Sequence, residues 1–215
     1  MSTQAGPIDP ATGEHWDMET FAAGDAAPAP VSVVLVSPKI PGNSGAICRT
    51  CAAAGASFRL VGPMGFQVDD AKLKRAGLDY WKHVCAEIHT DWDAFTSWFE
   101  AQPEPKRLVA FTALAGAEKH DNPRGEGGFW APGRFREGDL LLFGSEDTGL
   151  HQEAVDAAEA SGGCVCIPML GGRERVRSMN LSVCVAVGLF EALRQVGSSQ
   201  QEAGTEEGSG AAALS

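Results

Sequence analysis

The chain has 215 residues, is 44% hydrophobic and carries a net charge of −11, which suits one domain with a sizeable core plus some unstructured sequence. The acids are unevenly placed. Residues 1–38 and 197–215 hold eight acids and no Lys or Arg, which leaves 20 acids against 17 bases over 39–196. The bulk charge is therefore a poor guide to partners, and no apolar stretch is long and well flanked enough to span a membrane.

Residues 1–30 are rich in Ala, Pro and Gly and lack periodicity, so they read as a disordered extension. A targeting peptide is the other reading, but transit peptides are Arg-rich and acid-poor, the reverse of this segment. Apolar runs then predict strands near 31–36, 57–61, 84–88, 107–112, 139–143 and 164–167. Helices are predicted near 44–55, 70–76, 91–101, 150–160 and 180–195. Such alternation predicts an α/β domain over 31–196, with a mostly parallel sheet covered on both faces. Residues 113–137 have no period and are rich in Gly, Pro and Arg. They are too long for a plain connection, so they form a functional loop or a mobile insert. Residues 197–215 are of low complexity and read as a disordered tail.

The last predicted helix, Leu181-Ser-Val-Cys-Val-Ala-Val-Gly-Leu-Phe-Glu-Ala-Leu193, is apolar almost all round. A helix on the outside of a sheet shows one apolar stripe. This one is covered on more than one side, by a second copy of the chain or by the domain itself.

Three strand ends carry polar residues. In Ser37-Pro-Lys-Ile-Pro-Gly-Asn-Ser-Gly-Ala-Ile-Cys-Arg49, Asn43 and Ser44 are good helix N-caps. Arg49, four residues after Gly45, leans back toward a helix mouth that favours an anion. A phosphate pocket is one reading, and a capped helix with a surface Arg is the other. In Asp139-Leu-Leu-Leu-Phe-Gly-Ser-Glu-Asp-Thr-Gly-Leu150, Gly144 allows a ligand close to the backbone at a strand end, where open α/β sheets bind ligands. Glu146 there holds a ribose hydroxyl or a cation, or serves as an acid in a helix's first turn. In Cys166-Ile-Pro-Met-Leu-Gly-Gly-Arg-Glu-Arg-Val-Arg-Ser-Met-Asn180, Ser178 or Asn180 caps the last helix. Arg173, Arg175 and Arg177 either contact phosphates or stay solvated. The six cysteines complete no metal-ligand pattern, so no metal is expected. They read as small apolar residues in a reducing, cytoplasmic setting or, less simply, as a redox pair at Cys48 and Cys51. Glycine patterns for a nicotinamide fold or a nucleoside triphosphatase are missing, as is a serine-hydrolase elbow.

The order and spacing of "PKIPGNSGAICR", "LLFGSEDTGL" and "IPM…SMNLSVCVAV" resemble the three motifs of SPOUT-class RNA 2′-O-methyltransferases. Residues 60–81 resemble the subfamily that acts on the wobble cytidine or uridine of tRNA. The resemblance covers about 31–196 and implies a C-terminal trefoil knot, an exception to the unknotted rule. It implies S-adenosylmethionine as cofactor, bound by Phe111, Thr112, Gly144, Glu146, Ile167, Met169, Ser178 and Leu181. It also implies a homodimer through the last helix, and a tRNA anticodon stem-loop as substrate. Arg49, Asn43, Ser178 and Asn180 take the catalytic positions. Arg49 is a poor base, so its expected work is to hold a substrate phosphate and the nascent oxyanion. Lys72, Lys74, Arg75, Arg134, Arg136, Arg175 and Arg177 are expected RNA contacts, with Phe66, Tyr80 and Trp81 as stacking candidates. Two departures stand out: the 171–180 loop lacks the usual Pro-Asp lead-in, and the 113–137 segment is long. A catalytically silent RNA-binding relative and methylation of another RNA position are the competing readings.

Overall fold

The structure is a computed structural model that describes residues 30–66, 84, 86–113, 123–172, 174 and 178–210. Lys72, Lys74, Arg75, Tyr80, Trp81, Arg173, Arg175, Arg177 and the helix expected at 70–76 lie outside the described residues.

The elements in chain order are β1 Val31–Val36, α1 Pro41–Ala54, β2 Ser57–Val61, β3 Ala86–His89, α2 Trp92–Ala101, β4 Arg107–Phe111, β5 Asp139–Phe143, α3 Gln152–Glu159, β6 Cys164–Val165 and α4 Leu181–Gly210. The six strands form one sheet in the order β3-β2-β1-β5-β4-β6, and every pairing is parallel. Central strands of such a sheet are covered on both faces and read as continuous apolar runs. Val33 through Leu35 and Leu141–Leu142 are fully buried accordingly.

The period of two along each strand sorts side chains into two cores. Val33, Leu35, Phe58, Leu60, Val109, Phe111, Leu141 and Phe143 face α1 and α4. Val34, Val36, Val61, Leu108, Ala110, Leu140 and Leu142 face α2 and α3. On the second face Arg59 pairs with its register partner Glu87 at 3.2 Å and lies over the Trp98 ring at 4.2 Å. Arg59 thus keeps its charge matched while its stem is packed.

Most boundaries fall within two residues of the sequence reading, and the first and last helices depart further. The first helix begins at Pro41, with Ile40 at the N-cap and no side-chain cap of its own. Pro is pre-set for the first helical position, so Asn43 and Ser44 fall inside the first turn instead of capping it. The last helix continues to Gly210, past the point where the sequence turns polar.

The last helix accounts for its own composition. Val185, Leu189, Ala192 and Val196 are buried against the sheet. Gly188 sits over Phe111 and Phe143, whose rings stack with centroids 4.4 Å apart. Val183, Val187 and Phe190, spaced i, i+4 and i+7, are 46%, 38% and 54% exposed, which makes a second apolar stripe facing outward.

Candidate active site

A cavity of about 740 Å³ opens at the C-terminal ends of the central strands, within the usual range for small-molecule sites. Its walls come from the ends of β4 (Phe111, Thr112), β5 (Phe143 through Leu150) and β6 (Cys166, Ile167, Met169), from the start of α1, and from Ser178 through Leu181. Parallel strands place all their C-terminal ends at one edge of the sheet, so segments distant along the chain meet there. Phe111, Thr112, Gly144, Glu146, Ile167, Met169, Ser178 and Leu181 all line this cavity, with Asn43 and Asn180.

The polar residues at its rim are joined to one another. Glu146 accepts hydrogen bonds from the Lys39 backbone N–H at 2.8 Å, the Ile40 N–H at 3.2 Å and Asn43 Nδ2 at 2.9 Å. Asn43 Oδ1 accepts from Asn180 Nδ2 at 3.1 Å. Asn180 Oδ1 accepts from the Ser182 N–H at 2.8 Å, which makes Asn180 the N-terminal cap of α4. A carboxylate can only accept here, so it fixes the orientation of both amides in turn. Glu146 lines the cavity while its carboxylate is engaged by the start of α1. It caps α1 from the neighbouring loop, through the N–H of the N-cap residue Ile40, and places a carboxylate at the helix mouth.

Gly144 lines the cavity and also meets a demand of the fold. A side chain there would run into the backbone of Gly149 and Leu150, so its clearance serves the protein's own returning loop. That loop is closed by Ser145, whose hydroxyl meets Thr148 Oγ1 at 2.6 Å and Asp147 Oδ1 at 3.0 Å. Backbone bonds between Ser145 and Gly149 run in both directions. Lys39 Nζ binds Asp147 at 2.7 Å across the rim, and that hydrogen bond holds the Asp147 carboxyl down at about 2. Sequence reasoning passed over Ser145, Lys39, Asp147 and Cys184. Only Ser145 carries a local signal, a hydroxyl followed three residues later by Thr148 in a turn-forming run.

Arg49 is exposed on the outer face of α1, with Gly42, Ala46 and Ala53, and it does not line the cavity. Arg134 and Arg136 are displaced further. They lie beside Asp139 at the N-terminal ends of the strands, where Arg134 Nη1 donates to the Gly162 carbonyl at 2.6 Å and the Arg136 N–H donates to Asp139 Oδ2. A five-residue strand is ~17 Å long, so these two arginines lie at the end of the sheet opposite the cavity. Phe66 is half-buried. Cys48 and Cys51 are free and buried, and burial pushes the Cys48 thiol up to about 12 and Cys51 higher still. That is the behaviour of packing residues and not of a reactive pair. Among the described residues no group of three His, Cys, Asp or Glu is placed to hold a metal, and no helix is long and apolar enough to cross a membrane.

An all-parallel α/β sheet with a cavity walled by three strand ends and an amide–carboxylate network at its rim is the architecture of a class that binds small molecules at its strand ends. Residues 30–190 match the SpoU rRNA methylase family, and the chain belongs to that family. It is 43% identical, over 77% of its length and 96% of the relative's, to a tRNA (cytidine(34)-2′-O)-methyltransferase of Burkholderia pseudomallei (strain 1106a). A solved structure concerned with the 2-OH methylation of C/U34 on tRNA is 43% identical, with a TM-score of 0.62, over 77% of this chain and 95% of that one. An AdoMet-bound rRNA methyltransferase from Sinorhizobium meliloti is 26% identical, with a TM-score of 0.63, over 78% of this chain and 57% of that one.

Proposed function

We propose that this protein transfers a methyl group from S-adenosylmethionine to the ribose 2′-oxygen of the wobble cytidine or uridine, nucleotide 34, in a tRNA anticodon loop. The observation that carries the reading is the meeting of Phe111–Thr112, Gly144–Glu146 and Ile167–Met169 at one cavity, together with 43% identity to a wobble-cytidine methyltransferase. The residues present fit the cofactor. Apolar walls at Phe111, Leu150, Ile167 and Leu181 suit a flat base, and Thr112, Ser178 and Asn180 supply polar groups at the rim. The cofactor supplies an electrophilic sulfonium methyl.

The chain's own residues do the positioning. Glu146 holds Asn43, and Asn43 holds Asn180, so the loops on two sides of the cavity move as one unit and present their polar groups without reorganisation. Arg49 lies outside the cavity, and this favours a contact with the substrate phosphate over one with the nascent oxyanion.

The substrate approaches the rim. Exposed acids Asp91, Asp93, Glu100, Glu153 and Asp156 on and beside α2 and α3 disfavour a polyanion on that face. Arg173, Arg175 and Arg177 join directly in sequence to Ser178 at the cavity, and Lys72, Lys74 and Arg75 follow β2, which also ends at that edge.

The outward stripe of Val183, Val187 and Phe190 supports a homodimer through the last helix, because a contiguous apolar face on a monomer is unfavourable in water. A trefoil knot is supported by the chain path. The chain leaves β6 at the edge of the sheet, yet α4 packs on α1, β1 and β5 in its middle. A cytoplasmic setting fits the buried free thiols.

Incubation with unmodified tRNA and methyl-labelled S-adenosylmethionine tests the reading. Label enters the tRNA if it is correct, and no transfer to any tRNA or rRNA overturns it.

A further inference from the structure

We infer that Gly188, which lies outside the cavity, is a positioning residue that keeps the cofactor site open. The inference rests on the cofactor reading above. Leu181, Cys184 and Gly188 share one face of α4 at i, i+3 and i+7. The first two line the cavity, and Gly188 lies one turn deeper. A methyl group at Gly188 would stand 2.7 and 2.8 Å from Phe111 Cε1 and Cζ and 3.2 Å from Phe143 Cζ, closer than carbon atoms pack. Glycine in a helix interior is unfavourable relative to alanine, so its presence here matches a space that admits nothing larger.

The displaced ring has one way to go. Phe111 is stacked on Phe143 at 4.4 Å and on Phe135 at 5.9 Å, and meets Phe129 edge-on at 6.3 Å. Those three partners are buried to within 2%, and close-packed interiors do not absorb an extra methyl. Phe111, 9% exposed, also lines the cavity. The open side of the ring is therefore the space assigned to the cofactor, and a methyl at 188 pushes Phe111 into it.

The experiment measures binding of S-adenosylmethionine and of S-adenosylhomocysteine by calorimetry to the full chain, to Gly188→Ala, to Phe111→Leu and to the double variant. Thermal melting of each is followed in parallel. The expected result is a loss of about tenfold or more in affinity for both ligands on Gly188→Ala in the wild-type background. The same change costs less than about twofold in the Phe111→Leu background, because the shorter side chain leaves room for the methyl. The KM for tRNA stays unchanged while the KM for the cofactor rises. Should Gly188→Ala fail to fold, a double variant that folds and binds like Phe111→Leu gives the same support. Equal affinity of Gly188→Ala and wild type overturns the inference. So does a loss that is undiminished in the Phe111→Leu background, or a double variant that also fails to fold. Absence of binding to the wild-type chain overturns the cofactor reading itself, and that result is distinguishable from all the others.

Discussion

Glu146 and Ile40, 106 residues apart in the chain, are joined by a hydrogen bond from the Ile40 N–H to the Glu146 carboxylate. The first helix thus borrows its N-terminal cap from the loop after β5. The same carboxylate orients Asn43, and through it Asn180. One side chain sets the relative position of three loops that wall the cavity.

Glu146→Gln therefore disturbs more than one contact. The substituted amide turns its N–H₂ group either toward the Lys39 N–H or toward the Ile40 N–H and the Asn43 amide, so at least one donor loses its acceptor and the helix mouth loses its negative charge. The expected cost is about 2 kcal/mol, read as a lower urea midpoint at unchanged slope. Methyl transfer falls with it, because Asn43 and Asn180 lose their fixed orientation. Unchanged stability would place the capping role elsewhere.

Arg49→Ala is expected to behave in the opposite way. The residue is exposed, so stability changes by no more than about 0.5 kcal/mol, while turnover falls by about 100-fold or more through the lost substrate contact. Cofactor affinity and oligomeric state stay as in the wild type. Loss of folding would assign Arg49 a structural role.

The Lys39–Asp147 pair gives a pH dependence with a definite sign. The hydrogen bond from Lys39 lowers Asp147 from 3.8 to about 2 in the folded protein. The folded state therefore prefers the carboxylate. The pair's contribution is present in full above pH 3.8 and is lost as pH falls toward 2. Both side chains are about half exposed, so the effect is small and salt screens it. Denaturation midpoints of wild type and Asp147→Asn should differ at pH 6, converge between pH 4 and 2, and converge at any pH in 1 M salt. A gap that ignores both pH and salt would contradict the assignment.

Phe190→Asp tests the outward stripe on α4. A charge buried unpaired in an apolar interface weakens a dimer by about 3 kcal/mol or more, roughly 100-fold. Sedimentation velocity should show the wild type as a dimer and the variant as a monomer at low micromolar concentration. A wild-type monomer would remove the partner from the account of this helix.

The central strands were readable in the sequence because runs such as Val31–Val36 and Asp139–Phe143 are buried on both faces, and that burial is written into composition. The cavity's position followed from the same rule, since parallel strands end together. What the sequence hid is non-local. No window around Asn43 shows that Glu146 supplies the cap, so Asn43 and Ser44 read as caps themselves. No window around Arg134 shows that its guanidinium reaches the Gly162 carbonyl, 28 residues further along the chain in the turn before β6. Val183 and Val185 look alike in sequence, yet one faces outward and the other is fully buried; only the packing of α4 on β1 and β5 separates them.

Mapping of the methylated nucleotide tests the central claim most directly. The protein is incubated with unmodified tRNA and methyl-labelled S-adenosylmethionine, the product is digested, and the fragments are sequenced by mass spectrometry. The account predicts a single labelled 2′-O-methyl group on cytidine or uridine 34. Label on a base, or on the ribose of another nucleotide, would contradict it.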